Sequence, residues 1–126
     1  MIADDEPLVR AGIKAVIPWN DHGFDVIGEV SDGNEAYEKI LALKPDILIT
    51  DIKMPRMGGL ELATHISSNI PNTDIILLTG YDEFNFARTA IRIGVADYLL
   101  KPLRDGELHS ILDRLASKRI AHSVTC

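Results

Sequence analysis

Four short apolar runs, each closed by charged or hydroxyl residues, constrain this 126-residue chain more than any other feature. The runs are Met1-Ile2-Ala3, Ile47-Leu48-Ile49, Ile75-Ile76-Leu77-Leu78 and Tyr98-Leu99-Leu100. They are closed by Asp4-Asp5-Glu6, Asp51, Thr79 and Lys101. Apolar runs this short read as buried strands. Segments with helical spacing lie between them, and strands that alternate with helices build a parallel sheet. Such sheets take their ligands beyond the carboxyl ends of the strands. All four polar signatures are therefore expected at one edge, where carboxylates, a hydroxyl and an ammonium group suit a metal ion and a phosphoryl group.

The rest of the chain fits one α/β domain of five β-α units. Pro7 suits the first turn of a helix, and Leu8, Ala11, Gly12, Ala15 and Val16 follow on one expected apolar face. Pro18 stops it, a polar loop covers 19–23, and residues 24–30 read as the second strand. Asp32-Gly33-Asn34 opens a helix whose expected apolar face holds Ala36, Ile40 and Leu43. Pro45 separates it from the third strand, which ends at Asp51. Residues 54–59 form a loop by their Pro and Gly content, and a helix over 60–68 carries Leu62 and Ile66. Asp82 or a neighbour caps a fourth helix with Phe84, Ala87 and Ile91 on one face, and Gly94 stops it. The last helix carries Leu108, Ile111, Leu112 and Leu115. Apolar periodicity ends near Arg119, so 1–118 is read as the domain and 119–126 as a tail or the start of a linker.

Composition narrows the function classes. The apolar runs fall far short of a membrane span, and no basic-then-apolar leader opens the chain, so no membrane partner is expected. The single cysteine, Cys126, allows no internal disulfide and no cysteine metal site, in keeping with a cytoplasmic location. A net charge of −6 argues against direct binding of a nucleic-acid backbone, which needs clustered Lys and Arg.

The chemistry follows from the residue types. An Asp-Asp pair alone is an ordinary solvated helix start, and a lone Thr or Lys at a strand end is unremarkable. Together they are more specific. Adjacent Asp4 and Asp5 repel one another without a cation, and with Asp51 they form a hard oxygen set suited to Mg²⁺. Asp51 directly follows the apolar run and Thr50, so its backbone is anchored in the sheet. A carboxylate beside a metal can attack phosphorus to give an acyl phosphate. Lys101 supplies a second positive charge, and the Thr79 hydroxyl a hydrogen bond to phosphoryl oxygens.

These motifs carry a resemblance. Over nearly its whole length the chain resembles the receiver domain of a two-component response regulator, through Ala3-Asp4-Asp5-Glu6-Pro7, Asp51-Ile52-Lys53-Met54-Pro55, Gly58-Gly59, Leu78-Thr79-Gly80 and Lys101-Pro102. The resemblance implies a flavodoxin-like, doubly wound (βα)5 sheet with strand order 2-1-3-4-5. It implies that Asp51 accepts a phosphoryl group from a sensor histidine kinase. Asp4, Asp5 and Asp51 then hold Mg²⁺ together with the backbone carbonyl of Lys53, and Thr79 and Tyr98 form the switch pair beside Lys101. Pro7-Leu8-Val9-Arg10, Ile17-Pro18-Trp19, Thr79-Gly80-Tyr81 and Asp97-Tyr98-Leu99-Leu100 are similar to receivers attached to AraC-type helix-turn-helix regulators. The chain departs from the family in having only Met1 to Ala3 before Asp4, and in a tail, His122 to Cys126, that matches no receiver pattern.

On this reading phosphorylation draws Thr79 towards the phosphoryl group and lets Tyr98 turn inward. That reshapes the face of fourth helix, fifth strand and fifth helix, where a phosphorylation-dependent homodimer is expected to form. Transcription is the expected output, with DNA contacted only through an effector domain outside these residues. Lys53 and Tyr81 flank the approach of water, so self-dephosphorylation is expected to be slow. An aspartate-nucleophile phosphatase or dehalogenase-like hydrolase is the enzymatic rival. It commonly carries a second aspartate two residues after the nucleophile, but Lys53 occupies that position. A pseudo-receiver is disfavoured by the intact Asp4, Asp5, Asp51, Thr79 and Lys101. Flavin binding is disfavoured by an acidic first β-α connection without a Gly-rich loop.

Overall fold

The computed structural model describes residues 1–16, 19, 23–54, 57–70, 72–80, 92–100 and 106–125. Its strands are β1 (Ile2–Ala3), β2 (Glu29–Val30), β3 (Ile47–Asp51), β4 (Asp74–Thr79) and β5 (Asp97–Leu100). Its helices are α1 (Pro7–Val16), α2 (Gly33–Leu43), α3 (Gly59–Asn69) and α4 (Glu107–Thr125). The sheet is parallel in the order β2-β1-β3-β4-β5, the 2-1-3-4-5 order expected. The helix expected from Asp82, with Phe84, Ala87 and Ile91, lies outside the described residues. Its stop does not: Gly94 takes φ +104, a conformation glycine adopts without the penalty of a Cβ.

Alternation along the central strands builds two cores. Leu48 of β3 with Ile75 and Leu77 of β4 packs with Ala36, Ile40, Leu62 and Ile66 of α2 and α3. Ile47 and Ile49 with Ile76 and Leu78 pack on the other face with Ile13 of α1 and with Leu108, Ile111, Leu112 and Leu115 of α4. A strand buried on both faces needs an unbroken apolar run, which these sequences supply. Asp32 caps α2 by accepting from Glu35 N at 2.8 Å.

Four elements differ from the sequence reading. The buried face of α1 carries Ile13, 1% exposed, and half-buried Val9, whereas Leu8 is 85% exposed and Ala11, Gly12 and Ala15 are also exposed. Two apolar stripes, one residue apart, share this helix, and the one that carries Ile13 and Val9 packs on the sheet. Leu43 of α2 is likewise exposed, so Gly33, Ala36 and Ile40 are the buried residues of that helix. β2 is only Glu29–Val30, because just Ile2 and Ala3 of β1 pair with it. Residues 24–28 lie outside the strand, with Gly28 O accepting from Ile2 N at 3.1 Å. Finally, α4 continues to Thr125, past the end of the apolar periodicity near Arg119.

Candidate functional site at the C-terminal edge of the sheet

Register brings the polar signatures together. Ala3 pairs with Thr50, so Asp4 leaves β1 beside Asp51, the last residue of β3. Asp51 pairs with Leu78, so Thr79 closes β4 one step further on. Thr79 pairs with Leu100, the last residue of β5. Neighbouring strands lie about 4.8 Å apart, which places these residues within one crevice's width. Lys101 itself lies outside the described residues.

The crevice is built of buried polar groups. Asp4 is 0%, Asp51 6% and Thr79 0% exposed. Burying such groups is costly unless each is paired, and the structure gives partners. Asp4 N continues the ladder to Val30 O at 3.1 Å, and Asp4 Oδ1 accepts from Glu6 N at 2.9 Å. The Thr79 hydroxyl donates to Leu99 O at 3.3 Å, within the strand that carries half-buried Tyr98. Thr50 Oγ1 donates to Asp51 O at 3.1 Å, tying the end of β3 to itself.

The carboxylates divide into two places. Oxygens of Asp4, Asp5 and Glu6 all lie within 4.8 Å of one another, with Asp5 and Glu6 exposed. Asp51 stands on the neighbouring strand and is not among these three. Glu6, which the sequence reading did not assign to a metal, is therefore part of the closest acidic group, and adjacency in one turn is the signal that marks it. Oxygen-only donors with several exposed positions fit Mg²⁺, which retains waters and takes few protein ligands.

Two glycines fit the β3–α3 connection against its surroundings. A Cβ on Gly59 would collide with the Asp51 carbonyl oxygen, and Gly59 N donates to Ile52 O at 2.7 Å. A Cβ on Gly33, at the start of α2, would collide with the Met57 backbone of the same connection. Beside it lies an open hollow of about 560 Å³ lined by Asp5, Ile52, exposed Lys53, Met54 and Glu61 among others.

A basic group on α1 reaches the same turn. Arg10 Nη1 donates to Asp4 O at 2.5 Å, and its buried Nε lies 3.4 Å from Glu29 Oε1, outside hydrogen-bond alignment. Lys14 Nζ donates to Glu29 Oε2 at 2.6 Å. The Lys14 hydrogen bond, with the Lys14 and Arg10 charges, holds the Glu29 carboxyl below its usual range. Arg10 was not singled out for the site by the sequence reading, because its partner carbonyl is defined only once β1 turns into α1.

A doubly wound parallel sheet with a buried acidic crevice beyond its carboxyl ends is a flavodoxin-like α/β protein. Residues 1–113 match the response regulator receiver domain, and the chain belongs to that family. It is 41% identical over 118 residues to the transcriptional regulatory protein YesN of Bacillus subtilis, covering 94% of this chain and 32% of that protein. It is 41% identical over 115 residues to the transcriptional regulatory protein HptR of Staphylococcus aureus, covering 91% and 45%. The chain thus spans less than half the length of either relative. Among solved structures, the REC domain of AraT, a response regulator from Geobacillus stearothermophilus, superposes with a TM-score of 0.91 at 41% identity, covering 97% of this chain and 95% of that one. A two-component transcriptional regulator AraC from Clostridium phytofermentans gives 0.86 at 33% identity, covering 97% and 95%. Among the described residues, no helix is long and apolar enough to cross a membrane.

Proposed function

We propose that this receiver accepts a phosphoryl group at Asp51 from a sensor histidine kinase. The observation that carries the reading is the register: it sets a buried carboxylate at the end of β3 between the acidic turn after β1 and the Thr79 hydroxyl at the end of β4. An Asp51 carboxylate oxygen attacks phosphorus, the P–N bond to the kinase imidazole breaks, and the imidazole nitrogen takes up a proton. Asp4, Asp5, Asp51 and the backbone carbonyl of Lys53 would hold Mg²⁺, with Glu6 close by. When bound, the cation neutralises charge on the phosphoryl oxygens. Lys101 supplies a second positive group, and Thr79 leaves the Leu99 carbonyl to donate to a phosphoryl oxygen.

Release of Leu99 O loosens β5 where Tyr98 packs, which lets Tyr98 turn inward. The face that changes is made by the helix expected over 82–91, β5 and α4, and it would form a phosphorylation-dependent homodimer. The output is transcription, by analogy with YesN and HptR, through an effector domain of AraC type that contacts DNA. Residues 1–118 would form the receiver and 119–126 lead into the linker. The protein works in the cytoplasm, with no turnover beyond slow self-dephosphorylation, for which Lys53 and Tyr81 (the latter outside the described residues) limit water.

The test is intact mass after incubation with acetyl phosphate, with Mg²⁺ or with chelator, for wild type and Asp51→Asn. A single Mg²⁺-dependent phosphoryl adduct that disappears in the variant is expected. A folded wild type that takes no adduct, or an Asp51→Asn protein that takes it equally, would overturn the assignment.

A further inference from the structure

We propose that Arg10 is the positioning residue of the acidic turn: it fixes the peptide between Asp4 and Asp5 and thereby the direction of the Asp5 carboxylate towards a divalent cation. The inference rests on the Mg²⁺ reading above. Asp5 is exposed, so burial does not hold it, yet both of its flanking peptides are held. The carbonyl before it, Asp4 O, accepts from Arg10 Nη1 at 2.5 Å. The N–H after it, Glu6 N, donates to Asp4 Oδ1 at 2.9 Å. With both peptide planes fixed, the Asp5 backbone is fixed and its carboxylate has only its own rotamers to choose from.

Arg10 is itself held. Its side chain is 17% exposed, and its Nε lies 3.4 Å from Glu29 Oε1. Glu29 in turn is bound by Lys14 at 2.6 Å and opens β2, where it pairs in register with Ile2 of β1. The guanidinium therefore hydrogen-bonds the turn after β1 through one nitrogen and keeps a second in ion-pair range of Glu29 on β2. A lysine carries one point charge on a flexible stem and cannot keep both contacts at once. Groups that orient a metal ligand without touching the metal commonly change affinity by about 10–100-fold when lost.

The proposal predicts a sign that simple electrostatics does not. Arg10 is a cation close to an acidic turn, so as a bare charge it repels a second cation, and removing it would tighten Mg²⁺ binding. As a positioning residue its removal weakens binding.

The experiment measures Mg²⁺ affinity from amide shifts, and Glu6 amide hydrogen exchange in the metal-free chain, for wild type, Arg10→Ala, Arg10→Lys and Arg114→Ala. Arg114 is a matched control, since its Nη2 grips Ala96 O at 3.3 Å and Asp97 Oδ2 at 3.1 Å at the opposite edge of the sheet. Arg10→Ala is expected to raise the Mg²⁺ dissociation constant about 10-fold and to speed Glu6 exchange, with Arg10→Lys recovering little of either. Arg114→Ala is expected to leave both unchanged. Unchanged or tighter Mg²⁺ binding in Arg10→Ala, or full recovery by lysine, would overturn the assignment. A wild type without Mg²⁺-dependent shifts would overturn the metal reading itself, and the exchange rates alone would then decide whether Arg10 fixes the turn.

Discussion

The two edges of this sheet are made by the same strands and differ in what lies buried where those strands end. At the N-terminal edge lies a partly open cavity of about 320 Å³ with Trp19, Phe24, Val26 and Ile47 in its wall beside Asp25, Lys44 and Asp46. At the C-terminal edge the hollow is open, but the strands terminate in Asp4, Thr50, Asp51 and Thr79, all buried. Among the described residues one other polar residue is buried, Thr73, and its hydroxyl simply donates to Pro45 O at 2.7 Å. The difference teaches that a cavity does not by itself mark a site here. Desolvated polar groups, brought into line by register, do.

The sharpest way to break the comparison is to push on the close approach of α3 to the Asp51 backbone. Gly59→Ala places a methyl group against the Asp51 carbonyl and is expected to cost about 2–3 kcal/mol in urea unfolding, with a loss of phosphoryl uptake. An Asp51 site that tolerates this substitution with wild-type uptake would show that the β3–α3 connection does not hold it.

The N-terminal edge should respond to pH instead. The Met1 ammonium donates to Ile47 O at 2.9 Å, and burial lowers its pKa from 8.0 to about 6. In a chain with a free α-amino group at Met1, the unfolded state binds more protons than the folded state between pH 6 and 8. Stability therefore rises as pH increases across that window, by at most about 2–3 kcal/mol. Urea midpoints at the two pH values check this, and Nα-acetylation should flatten the difference.

Smaller effects separate the edges further. Val26→Ile adds a methylene towards the N-terminal cavity and is expected to change stability by less than about 1 kcal/mol without altering phosphoryl uptake. A more than two-fold change in uptake would couple the two edges. Gly12→Ala, on the exposed side of α1 where a Cβ meets nothing within 4 Å, should stabilise by about 0.5–1 kcal/mol, again without effect on uptake.

The central strands were legible because burial on both faces demands an unbroken apolar run, and Asp51 and Thr79 interrupt those runs where the strands end. The apolar stripe of α4 was equally plain, since Leu108, Ile111, Leu112 and Leu115 leave no competing face. On α1 two stripes compete, and periodicity alone does not say that Ile13 rather than Leu8 meets the sheet. The extent of β2 depends on how much of β1 is there to pair with, which is a property of the pair and not of residues 24–30. At the site, the acidic turn was readable from Asp4-Asp5-Glu6. The closeness of Gly59 to Asp51, and of Arg10 to the Asp4 carbonyl, arises only when separate elements pack.

The central claim is that function is confined to the C-terminal edge. The most direct test is a ¹⁵N–¹H map of the chain with Mg²⁺ and a phosphoryl donor, read against the metal-free chain. The account predicts the largest shifts at Asp4, Asp5, Ile52, Thr79 and Gly80, extending to Leu99, with Trp19, Phe24 and Asp46 unmoved. Shifts centred on Trp19, Phe24 and Asp46, with the acidic turn silent, would contradict it.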